Sequence, residues 1–322
     1  MYLLEQLGLT VPVFQAPMAG VSTPALAAEV SNAGGLGALG LGATKPEQAR
    51  ALIAEVRART DRPFNVNLFV HPTPKADAER EARWLEWLNP LFAEHGEAAP
   101  EKLSSPYTSF LDDPEMLTLL LEVKPPVISF HFGLPPAVCV TALKQTGAVL
   151  LATVTSPAEA LSAEASGMDA VIAQGIEAGG HRGMFDPYAP DDALGTFPLV
   201  RLLSRQCHGP VIAAGGIMDG AGLVAALDLG AVAAQMGTAF LLCPETGLDE
   251  AYRKALMGQA VFHTRMVSLI SGRPARGLSN RFTALADRPD APPCPDYPIA
   301  YDAGKALAKA ARTHGADFSH FV

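Results

Sequence analysis

The sequence is poor in cysteine, in basic residues and in long apolar runs. Its 322 residues include only four cysteines, with no CxxC pair, so we expect free thiols in a reducing compartment. The 24 lysines and arginines are outnumbered by 33 acidic residues, which argues against a nucleic-acid partner. No apolar stretch is long enough to span a membrane, no basic leader opens the chain, and no His/Asp/Glu spacing suggests a metal site. These absences predict a cytoplasmic globular protein that uses no metal.

Short apolar runs alternate with amphipathic segments along most of the chain. The runs lie at 12–18, 36–42, 64–70, 127–133, 148–154, 170–183, 210–216 and 231–238. Apolar strands with helices between them indicate a parallel sheet of the α/β class, and this number of βα units predicts a TIM (β/α)8 barrel. An open doubly wound sheet is the rival fold, but the first strand leads into APMAG and not into the diagnostic GxGxxG.

Two segments do not fit this repeat. Residues 71–126 are too long for one connecting helix, so we expect a helical insertion there, and residues 241–322 follow the last strand and lead to a final helix near 300–314. Residues 1–70 and 127–240 then form the barrel. Both extra segments leave from the carboxyl ends of strands, where barrel enzymes keep their active sites, so we expect them to wall a pocket. The exposed insertion is also a candidate surface for a homo-oligomer.

Glycine-rich turns follow the last three predicted strands. Barrels commonly bind a phosphate in the loops after strands seven and eight, and Gly215-Gly216 and Gly237-Thr238 lie in those loops. Because glycine has no Cβ, an anion can approach its backbone N–H group closely. Glycines also permit tight turns without any ligand, and a simple sugar phosphate would suit the same loops.

Side chains at other strand ends favour a larger ligand. Met18, Asn67 and Gln174 lie at the ends of the first, third and sixth predicted strands. An amide side chain can pair with the alternating donors and acceptors of a flat heterocycle. These residues favour flavin mononucleotide (FMN) over a bare phosphate ester.

Taken together, the motifs resemble those of the nitronate monooxygenase family, formerly called 2-nitropropane dioxygenases. The likeness rests on APMAGVSTPALAAEVSNAGGLG, FNVNLF, FHFG, QGIEAGGHRG, AAGGI and QMGTAFL, and it runs along nearly the whole chain. In the tail, the spacing of Tyr297, Tyr301 and Lys305 is similar to that of the bacterial class I members.

This resemblance implies an enzyme that oxidises small anionic alkyl nitronates, such as propionate 3-nitronate, with O2 to an aldehyde or oxo acid and nitrite, through a flavin semiquinone. The implied FMN contacts are Met18, Asn67, Gln174, Gly179, Gly180, Gly215, Gly216, Gln235, Met236, Gly237 and Thr238. The implied catalytic residue is His181, and the implied substrate contacts are Tyr107, His131, Tyr297, Tyr301 and Lys305.

Alternatives remain for the histidines and for the reaction. His181 can act as a base toward a neutral nitroalkane, or hold a preformed nitronate as an imidazolium, and a nearby Lys305 favours the second role. His131 faces either the barrel mouth or a core partner. An FMN-dependent NAD(P)H:quinone or enoyl-ACP reductase would share the fold and the glycine pattern, and a non-catalytic barrel would leave His181 and Lys305 without a role.

Overall fold

The computed structural model describes residues 2–313, which form two compact units. The first unit contains the chain up to Pro72, from Thr108 to Ala178 and from Gly183 to Leu248. The second contains Thr73 to Tyr107, Gly179 to Arg182, and the chain from Asp249 onward. The segment 71–126 is therefore divided between the units near Tyr107. Strands and helices are numbered along the chain through both units.

The first unit is a barrel of parallel strands surrounded by helices. Its strands are β1 (Val13–Gln15), β2 (Gly37–Gly40), β3 (Phe64–Phe69), β4 (Val127–His131), β5 (Val149–Val154), β6 (Ala170–Gln174), β8 (Val211–Ala214) and β9 (Ala233–Met236). Its helices are α1 (Tyr2–Gln6), α2 (Pro24–Asn32), α3 (Pro46–Arg59), α5 (Pro114–Val123), α6 (Ala137–Gln145), α7 (Pro157–Ala165), α8 (Thr196–Gln206), α9 (Gly220–Asp228) and α10 (Thr238–Leu241). All eight strands lie within the predicted runs.

The strands pair in the order β1-β9-β8-β6-β5-β4-β3-β2, and a parallel bridge between Phe14 and Leu36 joins the two ends. The sheet is thus closed on itself. This closure confirms the predicted TIM barrel and excludes the open doubly wound sheet.

Strand residues alternate between two apolar cores. Val127, Val149 and Ile212 pack with Leu3 and Leu7 from the α1 region. Their chain neighbours Ile128, Leu150 and Ala213 pack instead in the cluster that holds the apolar faces of the surrounding helices. Because successive strand residues point to opposite faces, the first set fills the barrel interior. Toward the carboxyl ends of the strands the same interior face becomes polar, with Asn67, Ser129 and Gln174 all buried.

Capping residues define the two ends of α7. The Ser156 side chain accepts a hydrogen bond from the backbone N–H of Glu159, and Pro157 occupies the first position of α7. Gly167 follows the same helix with φ +86°, a left-handed conformation that favours glycine.

The second unit combines helices with a small antiparallel sheet. Its helices are α4 (Ala78–Glu94), α11 (Glu250–Met257), α12 (Arg281–Ala284) and α13 (Ile299–Thr313), and its strands are β7 (Gly180–His181), β10 (Thr264–Val267) and β11 (Ala275–Leu278). Strand β11 is central, in the order β10-β11-β7. Trp84 and Leu88 of α4 share an apolar cluster with Ile299 and Leu307 of α13, so these helices enclose the core of the unit. The final helix expected near 300–314 is α13.

Residues 2–313 contain no helix with both the length and the apolarity needed to cross a bilayer. In the same range, no group of His, Cys, Asp and Glu side chains is arranged to hold a metal ion.

The Gln15 side chain reinforces the seam between β1 and β2, which share few backbone contacts. Its Oε1 accepts a hydrogen bond from the Ala38 N–H at 2.8 Å, and its Nε2 donates to Ser22 Oγ at 2.7 Å. Both Gln15 and Ala38 are buried. One side chain therefore ties the first strand to the second, where the barrel closes.

Replacing Gln15 by methionine keeps the side-chain length but leaves the buried Ala38 N–H without its acceptor. We expect Gln15→Met to lower the free energy of unfolding by about 1–3 kcal/mol, measured by urea titration with circular dichroism. The control is Gln48→Met on an exposed position of α3, with an expected change within about 0.5 kcal/mol. Equal stability of the two variants would show that Gln15 does not hold the seam.

Candidate active site

Two loops at the carboxyl ends of adjacent barrel strands expose backbone N–H groups. Gly216 follows β8, and Gly237 and Thr238 follow β9, its paired neighbour. Among the hydrogen bonds of residues 2–313, none is donated by the backbone N–H groups of these three residues. Such N–H groups at strand ends and at the start of a helix suit an anion.

Both the backbone angle and the close packing at position 215 require a glycine. Its φ is +113°, and a Cβ at this position would lie 2.8 Å from the backbone nitrogen of Ala178 and 2.9 Å from Thr196 Oγ1. Any larger residue would push the loop after β8 away from the loop after β6. The glycine therefore keeps these two loops in close contact.

Glu177 and Thr196 hold the same two loops together. Glu177 Oε2 accepts a hydrogen bond from the backbone N–H of Thr196, the first residue of α8, at 2.8 Å. The Thr196 hydroxyl lies 3.0 Å from Glu177 Oε2 and 2.9 Å from the Gly215 carbonyl oxygen. Sequence reasoning missed both residues. The only available signal was the position of Glu177 inside the QGIEAGG motif.

The side chains predicted to meet a heterocycle lie at the carboxyl ends of β1, β3 and β6. Met18 follows β1, and its Sδ lies 3.8 Å from the position of a Cβ on Gly237. Asn67 donates from Nδ2 to Ser129 Oγ at 2.9 Å, and its Oδ1 accepts no hydrogen bond from residues 2–313. Gln174 differs, because its Oε1 already accepts the N–H of Gly183 at 2.7 Å.

His131 is the last residue of β4 and belongs to the barrel unit. Strand alternation puts it on the same face as Val127 and Ser129, the face that lines the barrel interior. A Cβ at Gly183 would lie 2.9 Å from His131 Cε1, so the imidazole packs against the backbone of Gly183. His131 thus lies at the barrel mouth, and its contact with substrate stays a prediction.

In the second unit, His181 is held by its backbone and by its ring. It belongs to β7, where it pairs with Ala275 of β11, and the next N–H, that of Arg182, donates to the Pro274 carbonyl at 2.8 Å. The imidazole Nε2 lies 2.8 Å from the hydroxyl oxygen of Ser271. Gly180 pairs with Arg276 in the same ladder, so Gly179 and Gly180 belong to this unit together with His181.

Aromatic rings from the predicted pocket surround this histidine. Tyr297 and Tyr301 meet the imidazole edge-on, with ring centres at 5.5 and 5.9 Å. Tyr107 contacts both tyrosines, at 6.4 and 5.8 Å. The Lys305 Nζ lies 4.3 Å from the centre of the Tyr107 ring and 5.1 Å from that of Tyr301, within cation–π range. Four of the five predicted substrate residues therefore cluster with His181.

Burial disfavours the charged forms of the tyrosines and of the lysine in this cluster, so it shifts their pKa values in opposite directions. It raises the pKa of Tyr107, with Tyr301 adding to the effect, and raises the pKa of the buried Tyr297 well above its usual value. The phenols of Tyr107 and Tyr297 therefore stay neutral hydrogen-bond donors at ordinary pH. Desolvation lowers the pKa of Lys305, opposed by the charge of Asp302.

Ser271 and Arg273 are further members of the cluster that sequence reasoning missed. Ser271 lies 90 residues from His181 along the chain, in an SGRPARG segment without a helical or strand period. The guanidinium carbon of Arg273 lies 5.9 Å over the Tyr297 ring. Nothing in the local sequence indicates either contact.

Comparisons with known proteins agree with the motifs. The family model described as nitronate monooxygenase matches residues 2–318. A nitronate monooxygenase of Paraburkholderia phytofirmans is 59% identical over 97% of this chain and 86% of its own length. One of Pseudomonas aeruginosa is 56% identical over 96% of this chain and 88% of its own length.

Solved structures show the same fold. Nitroalkane oxidase from Streptomyces ansochromogenes aligns with a TM-score of 0.87 at 38% identity, covering 98% of this chain and 88% of that one. FabK from Thermotoga maritima aligns with a TM-score of 0.68 at 34% identity, covering 88% of this chain and 76% of that one. From these matches we conclude that the chain belongs to the nitronate monooxygenase family of oxidoreductases.

Proposed function

We propose that this protein uses FMN and O2 to oxidise small alkyl nitronates, such as propionate 3-nitronate, to an aldehyde or oxo acid and nitrite. The observation that carries the proposal is the clustering of three tyrosines and Lys305 around His181. A nitronate spreads its negative charge over two nitro oxygens, and phenol, ammonium and imidazolium groups can all donate hydrogen bonds to it. Family membership supports the same reaction class.

The residues of the barrel fit FMN as the cofactor. The N–H groups of Gly216, Gly237 and Thr238 suit its phosphate, and the Asn67 Oδ1 suits a donor on its ring. Met18, next to Gly237, offers an apolar surface to the same ligand. When bound, FMN would supply the redox chemistry of the reaction.

The remaining proposed FMN contacts lie in or shortly after β6, β8 and β9. Gly215 keeps its loop in close contact with the loop after β6. The Gln174 side-chain oxygen already accepts a hydrogen bond from the Gly183 N–H. Gly179, Gly180, Gln235 and Met236 complete the set that the family resemblance implies.

We propose that Lys305 selects the anionic nitronate over the neutral nitroalkane. The residue is exposed overall, but its ammonium group lies against the rings of Tyr107 and Tyr301, which displace part of its hydration, so a bound anion restores part of the lost solvation. The neutral phenols of Tyr107 and Tyr297 donate without adding a negative charge that would repel the substrate. The pocket therefore favours a small anion, and the net charge of −9 gives no support to a nucleic-acid partner.

His181 acts on this substrate as an imidazolium. A preformed nitronate has already lost its α-proton, so a base has no proton to remove. An imidazolium next to the nitro oxygens donates a hydrogen bond and balances their charge. His181 would need to remove an α-proton only if neutral nitroalkanes were the physiological substrates.

The first experiment identifies cofactor and reductant. The purified protein should release a yellow chromophore that chromatography and mass spectrometry identify as FMN. Mixed without oxygen, propionate 3-nitronate should change the flavin spectrum while NADH does not, and admitting O2 should yield nitrite. Reduction by NADH with no nitrite from the nitronate would establish the reductase alternative instead. No spectral change with either compound would support a non-catalytic barrel.

A Cβ at Gly215 should weaken FMN binding. We expect Gly215→Ala to lose at least about tenfold in FMN affinity, because the new methyl group separates the loops after β6 and β8. Flavin fluorescence during reconstitution of the apoprotein measures the affinity. The matched control is Gly167→Ala, where φ is also positive but no atom lies closer than 3.6 Å to the added Cβ. If both variants bind FMN equally well, the loop after β8 does not hold the phosphate.

Nitronate affinity should fall at high pH. Because the pKa of Lys305 is lowered from 10.5, its charge is present below that lowered pKa and lost as pH rises through it, so KM should rise at a pH below 10.5. Lys305→Met should raise KM about 10- to 100-fold at neutral pH and remove this pH dependence. Lys309→Met, at an exposed position one turn along α13, is the control. Wild-type pH dependence in Lys305→Met would assign the titration to another group.

A further inference from the structure

We propose that Ser271 is a positioning residue that keeps the Nε2 of His181 protonated, so that the imidazole gains and loses its proton at Nδ1. The inference rests on the proposed function in taking His181 as the catalytic histidine. Its basis is the short chain of hydrogen bonds from His181 Nε2 to Ser271 Oγ and on to the backbone of Arg273.

The distances define that chain. Ser271 is fully buried, and its Oγ lies 2.8 Å from His181 Nε2. The same oxygen lies 3.3 Å from the Arg273 carbonyl oxygen and 3.3 Å from the Arg273 nitrogen. A serine hydroxyl has one proton to donate and two lone pairs that accept. The Arg273 N–H can only donate, so it occupies one of these lone pairs.

The proton of the Ser271 hydroxyl can point either to the Arg273 carbonyl oxygen or to His181 Nε2. If it points to the Arg273 carbonyl, Oγ accepts from an Nε2–H, and this arrangement serves both the imidazolium and the neutral imidazole. If it points to Nε2, only a neutral ring with its proton on Nδ1 fits, and the hydroxyl must turn whenever the ring becomes charged. The first arrangement needs no reorganisation when His181 titrates, so the change of charge is confined to Nδ1.

The turn that carries Ser271 cannot easily shift. Gly272 has φ +91°, and a Cβ there would lie 2.6 Å from the Pro295 carbonyl oxygen and 2.7 Å from the Tyr297 nitrogen. Its N–H donates to the Ser268 carbonyl at 2.8 Å. The turn thus packs directly on the segment that leads into Tyr297, and Ser271 is held at a fixed distance from the imidazole.

Other charged and titratable groups also face this histidine. Tyr297 and Tyr301 meet its ring edge-on, Arg273 lies over the Tyr297 ring, and Lys305 lies over the Tyr301 ring. Both cations oppose a positive charge on the imidazole, whereas an Nε2–H bond to Ser271 favours it. Loss of the serine hydroxyl should therefore make the protonated ring less stable.

The test reads the tautomer directly. In holoprotein labelled with 15N-histidine, long-range proton–nitrogen correlation spectra distinguish a protonated Nε2 from a protonated Nδ1, and the signals lost in His181→Asn identify the ring. We expect neutral His181 to carry its proton on Nε2 in the wild type. In Ser271→Ala we expect both tautomers, and the pH profile of kcat/KM should move down by about one pH unit. Ser271→Thr, which keeps the hydroxyl, should restore the wild-type pattern.

A matched control separates positioning from a merely structural role. Ser31→Ala also removes a buried serine hydroxyl, one that donates to the Pro63 carbonyl at 2.8 Å in the barrel, and should leave the His181 tautomer and the pH profile unchanged. A proton on Nδ1 in the neutral wild type would overturn the proposal. So would a Ser271→Ala protein with the wild-type tautomer and pH profile.

Failure of the inference and failure of the proposed function give different results. The wild-type spectra need no turnover and no variant, so they decide the tautomer even if Ser271→Ala does not fold. An Nε2–H tautomer in a protein that forms no nitrite overturns the function alone. Nitrite formation by a protein whose neutral His181 is protonated on Nδ1 overturns the inference alone.

Discussion

The candidate site depends on how the residues after β6 are held. Within the barrel unit, the Glu177 carboxylate bonds the start of α8, and the Gln174 side chain binds the Gly183 N–H. Gly180 and His181 belong to the second unit, and within it they form a two-residue strand that pairs with β11. So short a strand has little stability of its own, because few backbone bonds repay the entropy of ordering it. The imidazole is oriented by the pairing of its backbone with β11, by its bond to Ser271 and by the edge-on contacts of Tyr297 and Tyr301.

Much of the fold could be predicted because its signals are local. Each barrel strand is an apolar run with a turn signal at its end, and Ser156 and Gly167 mark the limits of α7 within a few residues of chain. His181 was identified by resemblance. Ser271 and Thr196 were not, since their partners lie far along the chain and a serine or threonine in a loop carries no period. The hydrogen bond of Gln174 was equally unpredictable. The strand pattern places an amide side chain at the end of β6, but nothing in the sequence indicates that its oxygen accepts the Gly183 N–H.

Desolvation supports the proposed preference for an anionic substrate. The same loss of water that holds Tyr107 and Tyr297 in their neutral, donating forms also destabilises the charge of Lys305. The cluster combines these neutral donors with the Lys305 cation, and the charge of Asp302 offsets part of the effect of desolvation on that cation. A bound nitronate would supply the missing negative charge close to the ammonium. Binding and protonation of Lys305 should then reinforce each other, as linkage requires.

The glycine-rich loops of the barrel are ordered by contacts within the protein. Within residues 2–313 the N–H groups of Gly216, Gly237 and Thr238 donate no hydrogen bond, and they and the left-handed backbone of Gly215 add nothing to the stability of the protein by itself. They persist because Glu177, Thr196 and the close packing around Gly215 determine the conformation of the loop after β8. A loop already ordered in this way loses little entropy when a phosphate binds, so more of the hydrogen-bond energy becomes binding energy. The prior ordering of the glycine turns thus supports the proposed binding of the FMN phosphate at the barrel mouth.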